Sequence, residues 1–206
     1  MRRNGCVFLV IEGIDGAGKS TLAKALQNTL HEKLPTRVFS EPTRFTDAGR
    51  KIRELLATEK NDDLQLAERL LRLFAIDREW HVRHKIRPAL RNGENVILDR
   101  YYFSTAAYQG RDADAAEKIL SYYNAPEFEI PDKVIFLNMQ PSQALERIQN
   151  RGTSTDVFET LENLTRISDN YNHILKKFEN TGKLISLDAS QPTETLLETI
   201  LQNLDN

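Results

Sequence analysis

The sequence predicts one α/β domain with a mostly parallel, five-stranded sheet flanked by helices. Three short apolar runs have the composition of strands buried on both faces: residues 6–11, residues 96–98 ending at Asp99, and residues 133–137. Each run is followed by sequence with helical spacing, and strands that alternate with helices form parallel sheets. Residues 37–40 and 183–187 are weaker candidates for the other two strands.

Helical spacing fills most of the chain between these runs. It covers residues 22–34, 47–58, 63–92 with Pro88 inside, 142–151, 158–180 and 193–204. A chain of 206 residues without an internal repeat or linker, with its Gly and Pro residues between elements, is expected to form a single domain over residues 1–206.

Composition narrows the classes of partner and compartment. With 28 basic and 30 acidic residues the net charge is -2, so no broad positive surface for a nucleic acid polymer is expected. The single cysteine, Cys6, cannot form an internal disulfide and fits a reducing compartment. Arg2 and Arg3 precede an apolar run far shorter than a signal peptide or the about 20 residues of a membrane span. A soluble, cytoplasmic protein without a membrane partner is expected.

A complete phosphate-binding motif follows the first predicted strand and opens a predicted helix. It fits G-x-x-x-x-G-K-[ST] with Gly13, Ile14, Asp15, Gly16, Ala17, Gly18, Lys19 and Ser20. Its glycines let backbone N–H groups converge on phosphate oxygens, Lys19 bridges the β- and γ-phosphates, and the Ser20 hydroxyl ligates Mg²⁺. ATP and Mg²⁺ are therefore the predicted cofactors. The motif alone does not separate kinases from GTPases, motor ATPases or nucleotide sensors, and a turn with nothing bound is the structural alternative.

A second anion site is predicted where the strand at residues 96–98 ends. Asp99 and Arg100 lie at the carboxyl end of that strand, where open α/β sheets bind their ligands. Arg100 can donate two hydrogen bonds to a phosphate, and Asp99 can hold Mg²⁺-bound water or orient the arginine. The alternative is a structural ion pair that closes the strand. Arg44, after the turn at Pro42, either faces the same pocket or lies solvated on the surface.

Two further pairs have spacings that point to a nucleotide. Phe74 and Arg78 lie four apart on the long helix, so a ring and a guanidinium share a face that suits a flat base. Arg147 and Arg151 lie one turn apart before a polar, glycine-containing segment, which predicts a lid over about residues 147–158. The structural alternatives are a core phenylalanine with a surface arginine, and a polar helix end.

Taken together, these residues resemble the thymidylate kinase family, the dTMP kinase branch of the nucleoside monophosphate kinases. The similarity runs from about residue 8 to 204, most specifically at 99–110, and is carried by residues 11–21, 41–44, 73–78, 97–110, 131–132, 145–152 and 188–192. It implies a P-loop nucleoside monophosphate kinase-like fold with a short lid. It also implies transfer of the γ-phosphoryl of ATP to dTMP, giving dTDP and ADP in dTTP synthesis, by a homodimer built through helices, with the long helix from residue 63 as the candidate.

The resemblance implies roles on the acceptor side. Arg100 and Arg44 would bind the acceptor phosphate, while Phe74 and Arg78 would clamp thymine. The remaining implied contacts are Ser104 and Thr105 with the base, Tyr108 where a ribose 2′-hydroxyl would lie, and Asp15 near the acceptor sugar and phosphates.

On the donor side it implies that Thr21 completes the nucleotide-binding stretch and that residues 188–191, with Ser190 and Gln191, hold the adenine of ATP. Gly16 follows Asp15, so the chain is similar to the members that carry their catalytic arginines in the lid, here Arg147 and Arg151. Val157 departs from that type, which commonly has Asp-Arg near the end of its lid.

The predicted reaction needs no general base, because a phosphate monoester with a second pKa of about 6 is already an anionic nucleophile at neutral pH. His31, His81, His84 and His173 are scattered and expected on the surface. Two rival functions remain open: a deoxynucleoside kinase, which needs a carboxylate base beside a hydroxyl, and a nucleotide-binding regulator without turnover. The choice between dTMP and dUMP also stays open, since a methyl pocket discriminates by only about 1–3 kcal/mol.

Overall fold

A computed structural model describes residues 5–59, 63–150 and 157–204. Its sheet has five parallel strands in the order β2-β3-β1-β4-β5. The strands are β1 (Phe8–Glu12), β2 (Thr36–Ser40), β3 (Asn95–Asp99), β4 (Lys133–Asn138) and β5 (Leu184–Asp188). The predicted fold class is confirmed, including the two strands that the sequence indicated weakly.

The two central strands bring the predicted phosphate sites together. β1 is buried throughout and pairs with β3 so that Ile11 lies opposite Asp99. The Arg100 backbone N–H donates to the Ile11 carbonyl at 3.0 Å, which carries the pairing one residue past β3. Because the strands are parallel, the glycine-rich turn after β1 and Arg100 after β3 emerge at the same edge of the sheet.

Helices cover both faces of this sheet. Within the described ranges they are α1 (Lys19–His31), α2 (Asp47–Thr58), α3 (Leu64–His81), α4 (Arg87–Arg91), α5 (Tyr102–Gln109), α6 (Ala113–Tyr122), α7 (Pro141–Asn150), α8 (Leu161–Lys176) and α9 (Thr193–Leu204). Thr46, Asp63, Asp112 and Thr160 cap their helices by accepting a backbone N–H three residues on. None of the described helices is both long enough and apolar enough to cross a membrane.

The long helical stretch predicted over residues 63–92 has a local change of geometry. A π-helical turn at Val82–Ile86 joins α3 to α4. Pro88 has no N–H, and its ring clashes with the carbonyl four residues earlier in a regular helix. The wider turn lies just before Pro88 and gives its ring room, so the chain passes the proline without leaving the helix.

Two helices, α5 and α6, were not predicted. Every residue of α5 is buried, so it has no polar face to reveal a helical period, and its tyrosine, phenylalanine, serine and threonine residues are modest helix formers. α6 did carry a signal, because the Asp112 side chain accepts from the Ala115 N–H at 2.8 Å. α5 follows directly after Arg100 and packs against α3 and α8, so it delivers one wall of the site.

Candidate active site

The glycine-rich turn has the geometry of a phosphate cradle. Gly16 and Gly18 have φ angles of +84° and +92°, a region that side chains rarely adopt. A Cβ on Gly16 would also lie 2.6 Å from the Ala144 carbonyl oxygen of α7. The turn runs straight into α1, whose first residue is Lys19, so backbone N–H groups and the positive end of the helix dipole face one point.

Lys19 is a buried ammonium whose Nζ donates to the Ile14 carbonyl oxygen at 2.8 Å. Burial and the nearby Arg100 lower the pKa of Lys19 to about 8, because together they outweigh Asp15, Asp99 and Glu12, which raise it. An anionic phosphate beside Nζ would offset the free-energy cost of keeping this buried ammonium charged.

Ser20 and Asp99 form the pair of oxygen ligands expected for Mg²⁺. The Ser20 hydroxyl donates to Asp99 Oδ2 at 2.5 Å, and both residues line the cavity above the cradle. Mg²⁺ prefers oxygen ligands and takes few from the protein, completing its shell with phosphates and water. The residues present fit that ion.

Arg100 is held in a strained conformation. Its φ of +70° lies in the left-handed region, which costs a non-glycine residue about 1–2 kcal/mol. One end of its guanidinium donates to Asp15 Oδ1 at 2.5 Å and to the Tyr108 hydroxyl at 2.9 Å, and the other to Ser104 Oγ at 3.2 Å. Burial raises the pKa of Asp15, but Arg100 and Lys19 outweigh it and hold the value at about 2. Asp15 therefore stays ionised and keeps Arg100 in place.

Two cavities meet at this ion pair. The first, here called the base cavity, has a volume of about 200 Å³, and the second, the phosphate cavity, about 400 Å³. Asp15 and Arg100 line both. The base cavity is also lined by Glu41, Pro42, Arg53, Leu56, Phe74, Arg78, Tyr101, Ser104, Thr105, Tyr108, Gln109 and Phe158. The phosphate cavity is also lined by Gly16, Gly18, Lys19, Ser20, Thr21, Asp99 and Arg147.

Phe74 and Arg78 share the base cavity, and the arginine is buried. Its Cζ lies 5.9 Å from the Phe74 ring centroid. Arg78 Nε donates to Glu41 Oε2 at 2.8 Å and Nη2 to Thr105 Oγ1 at 2.9 Å. Its Nη1 is buried and has no hydrogen-bond partner among the residues that the structure describes. The cavity thus combines an aromatic face with a spare donor, as a flat base with a carbonyl oxygen requires.

Known proteins are similar in sequence to this chain over nearly its whole length. A family model described as thymidylate kinase matches residues 11–200. The chain belongs to the thymidylate kinase family. A thymidylate kinase from Leptospira borgpetersenii serovar Hardjo-bovis (strain L550) is 40% identical over 197 residues, which cover 95% of this chain and 92% of the relative.

Two further relatives share less sequence identity with this chain. A thymidylate kinase from Coprothermobacter proteolyticus is 34% identical over 200 residues, covering 96% of this chain and 98% of the relative. A probable thymidylate kinase from Methanosarcina mazei is 35% identical over 203 residues, covering 96% and 94%. The predicted resemblance is confirmed, and with it the class of enzyme, a phosphotransferase acting on a nucleoside monophosphate.

Within this thymidylate kinase family member, Arg44 does not share a cavity with Arg100. It is exposed and lines a third cavity, here called the side cavity, with Ser20, Asp99 and His81. The base cavity holds Arg53 instead, whose Nη2 donates to the Pro42 carbonyl oxygen. Local sequence could not predict this position, because Arg53 has the spacing of a solvated charge on an amphipathic helix.

Gln109 and Glu12 were also missed. Gln109 Oε1 is buried in the base cavity and without a hydrogen-bond partner in the described part of the chain. Glu12 lies under the cavity floor, where it accepts from Ser104 Oγ at 2.5 Å, the Tyr171 hydroxyl at 2.9 Å and the Tyr101 N–H at 2.9 Å. Burial raises the pKa of Glu12, and these hydrogen bonds act against it. Gln109 belongs to the stretch 99–110, where the family resemblance is most specific, so its position was a signal.

α7 connects the phosphate cavity to residues 188–191, the segment predicted to bind the adenine of ATP. Arg147 lines that cavity, and its Nη1 donates to the Ala189 carbonyl oxygen at 3.3 Å. In the turn beyond β5, Asp188 accepts from the Ser190 N–H at 2.9 Å and from Gln191 Nε2 at 3.5 Å, and both donor residues are exposed. Residues 151–156, which include Arg151 and make up half of the predicted lid, lie outside the described residues.

The lowered pKa of Lys19 predicts that the protein takes up a proton when it binds a nucleotide. Phosphate oxygens favour its ammonium form, so ATP should raise its pKa above the ligand-free value of about 8. At a pH of about 8.5 binding should take up a proton, and ATP affinity should fall as the pH rises further. Calorimetry in two buffers of different ionisation enthalpy measures this uptake. The Lys19→Arg variant stays charged and should show none; equal uptake by both proteins would rule out Lys19 as its source.

Proposed function

We propose that this chain transfers the γ-phosphoryl group of ATP to dTMP, giving ADP and dTDP for dTTP synthesis. The observation that carries the proposal is the wall that the two cavities share. Asp15 and Arg100 form this wall, with the phosphate cavity on one side and the base cavity on the other. A donor phosphate over Lys19 and an acceptor phosphate beside Arg100 would then approach each other across that wall. Membership of the thymidylate kinase family supports the same reaction.

Positioning and charge neutralisation account for the rate in this proposal. The cradle amides and Lys19 bind the donor phosphates, and Arg100 binds the acceptor phosphate, so two polyanions come into line. Mg²⁺, which Ser20 and Asp99 would hold, supplies charge neutralisation at the β- and γ-phosphates when bound. With a pKa of about 2, Asp15 takes no proton at neutral pH and acts by orienting Arg100.

The carboxylates around the base cavity favour a monophosphate acceptor over a nucleoside. A nucleoside kinase needs a carboxylate base beside a neutral hydroxyl. The two carboxylates that line the base cavity in the described structure, Asp15 and Glu41, are each paired with an arginine. These ion pairs hold both carboxylates in place, whereas an acceptor phosphate already carries the charge that attacks.

Thymine recognition is proposed for the inner end of the base cavity. Phe74 would stack on the ring, Arg78 and Gln109 would hydrogen-bond its polar edge, and Ser104 and Thr105 would complete the contact. Tyr108 supports a preference for deoxyribose, since its hydroxyl donates to Asp15 Oδ2 at 2.7 Å and its ring fills the place of a 2′-hydroxyl in this proposal.

A cytoplasmic homodimer that associates through α3 is part of the proposal. Leu64 and Ile76 of this helix are 63% and 59% exposed, and an interface along α3 would cover apolar side chains that otherwise face water. The partners proposed for the site are the small molecules dTMP and ATP alone, without a nucleic acid polymer or a membrane.

A substrate panel tests the proposed reaction. ADP release should be fastest with dTMP among dTMP, dUMP, UMP, CMP, AMP and thymidine, and dUMP should lose about 10- to 100-fold in kcat/KM with the missing methyl contact. The Lys19→Ala variant, as the control, should lose several orders of magnitude in kcat. Turnover of thymidine equal to that of dTMP would select a nucleoside kinase. ATP binding without any ADP release would select a regulator.

Alanine variants of Arg53 and Arg44 form a matched test of which arginine binds the acceptor phosphate. Because Arg53 lines the base cavity, Arg53→Ala should raise the KM for dTMP by about 10-fold or more, as expected for losing a charged hydrogen bond. Arg44→Ala should have a smaller effect on that KM, and neither should change the KM for ATP more than about twofold. A larger effect of Arg44→Ala would support the pairing of Arg44 with Arg100 that the family resemblance implies.

The lid arginines, Arg147 and Arg151, are proposed to stabilise the transferring phosphoryl group. Arg151→Ala should lower kcat more than Arg147→Ala, because Arg147 is already bonded to the Ala189 carbonyl oxygen. Single-turnover kinetics with saturating ATP and dTMP measure this without a contribution from product release. Equal or reversed losses would contradict the lid assignment.

A further inference from the structure

A buried carboxylate joins two side chains of α3. Glu41 Oε2 accepts from Arg78 Nε at 2.8 Å, and Glu41 Oε1 lies 2.9 Å from His81 Nδ1. The three residues are 5%, 1% and 0% exposed, so this cluster is shielded from water. His81 was expected on the surface, and that prediction was wrong. It lies one turn after Arg78 on the same helix face, which lets one carboxylate meet both.

Hydrogen bonds to Glu41 and Thr105 fix the orientation of Arg78. A guanidinium is planar, so once Nε is held by Glu41 and Nη2 by Thr105, the direction of Nη1 is determined. The rings of Tyr101 and Tyr123 lie 5.3 and 4.8 Å from Arg78 Cζ and confine the plane further. Nη1 is buried and is the nitrogen of this group that lacks a hydrogen-bond partner in the described structure, and Arg78 lines the base cavity, so an unused donor lies at the cavity wall.

The second oxygen of Glu41 depends on His81. The imidazole is packed edge-on against the Phe39 ring, with 5.3 Å between centroids, and this contact holds it against Glu41. His81 does not line the base cavity; it lines the side cavity. It therefore cannot touch a base bound beside Phe74, and any effect on such a base passes through Glu41.

We propose that His81 is a positioning residue for base recognition, acting through Glu41 to aim Arg78 Nη1 at the carbonyl oxygen at position 4 of thymine. This inference rests on the proposed function of the base cavity. It gives His81, which lies outside that cavity, a role in selecting the base. Cytosine carries an amino group at that position and offers no acceptor to Nη1. A correctly aimed Arg78 thus favours dTMP over dCMP.

Three variants of His81 test the proposal. The His81→Asn side-chain amide can reach Glu41 Oε1 in place of Nδ1, the amide of His81→Gln extends toward the Nε2 position, and His81→Leu offers no polar group. His81→Leu and His81→Gln should raise the KM for dTMP by about tenfold and lower the dTMP to dCMP ratio of kcat/KM by about tenfold. His81→Asn should stay near the unmodified protein on both measures. The KM for ATP should change less than about twofold in all three.

The outcomes of these measurements distinguish a failure of the His81 role from a failure of the proposed function. If His81→Leu does not fold, the Asn and Gln variants, both polar, still give the comparison. An active unmodified protein whose Leu or Gln variant keeps the original KM and base preference would overturn the positioning role alone. Equal losses toward dTMP and ATP in all variants would assign His81 a structural role and also overturn it. Absence of dTMP-dependent ADP release by the unmodified chain would overturn the proposed function, and this inference with it.

Discussion

The ion pair between Arg100 and Asp15 stands at the centre of this structure. It forms the wall that the base cavity and the phosphate cavity share, and it exists because β1 and β3 are neighbours in a parallel sheet. Arg100 adopts a left-handed backbone conformation directly after β3, and Asp15 comes from the glycine-rich turn directly after β1. Backbone strain at such a position persists only where surrounding contacts compensate it. Here they come from Asp15, Tyr108 and Ser104.

Three buried carboxylates organise the elements around that wall. Glu12 holds the start of α5, Glu41 holds Arg78, and Asp77 accepts from the Thr43 N–H at 2.7 Å and from the hydroxyls of Thr43 and Thr46. Each carboxylate is costly to bury, and removing one partner of a buried ion pair typically costs about 3–5 kcal/mol. The arrangement fixes three segments, the 41–46 turn, α3 and α5, relative to one another. A site that aligns two phosphates requires that precision.

The close approach of α2 to the 41–46 turn shows how far packing supports the site. A Cβ on Gly49 would lie 2.2 Å from the Thr43 carbonyl oxygen and 2.8 Å from Asp77 Oδ1. α2 can therefore lie against the turn only with glycine at this position. That contact also brings Arg53, one turn further along α2, to the rim of the base cavity.

Local sequence signals predicted the sheet and the phosphate cradle, because both are encoded in contiguous residues. The buried strands are apolar runs, and the cradle is one short motif. What the sequence could not supply depended on tertiary contacts. α5 is buried on all sides and lacks a helical period, His81 is buried by packing against Phe39, and Arg53 faces the site only because Gly49 lets α2 approach. Arg44, adjacent to the predicted turn, lines a different cavity because the turn is anchored through Thr43 to Asp77.

A crystal structure with dTMP and an unreactive ATP analogue bound together tests the shared wall most directly. The two phosphate groups are predicted to lie on either side of Arg100, with the dTMP phosphate bonded to its guanidinium and the terminal phosphate of the analogue over Lys19. If the dTMP phosphate instead lay away from Arg100, with the guanidinium still bonded only to protein groups, the wall would separate the two nucleotides rather than align them, and the account would be contradicted.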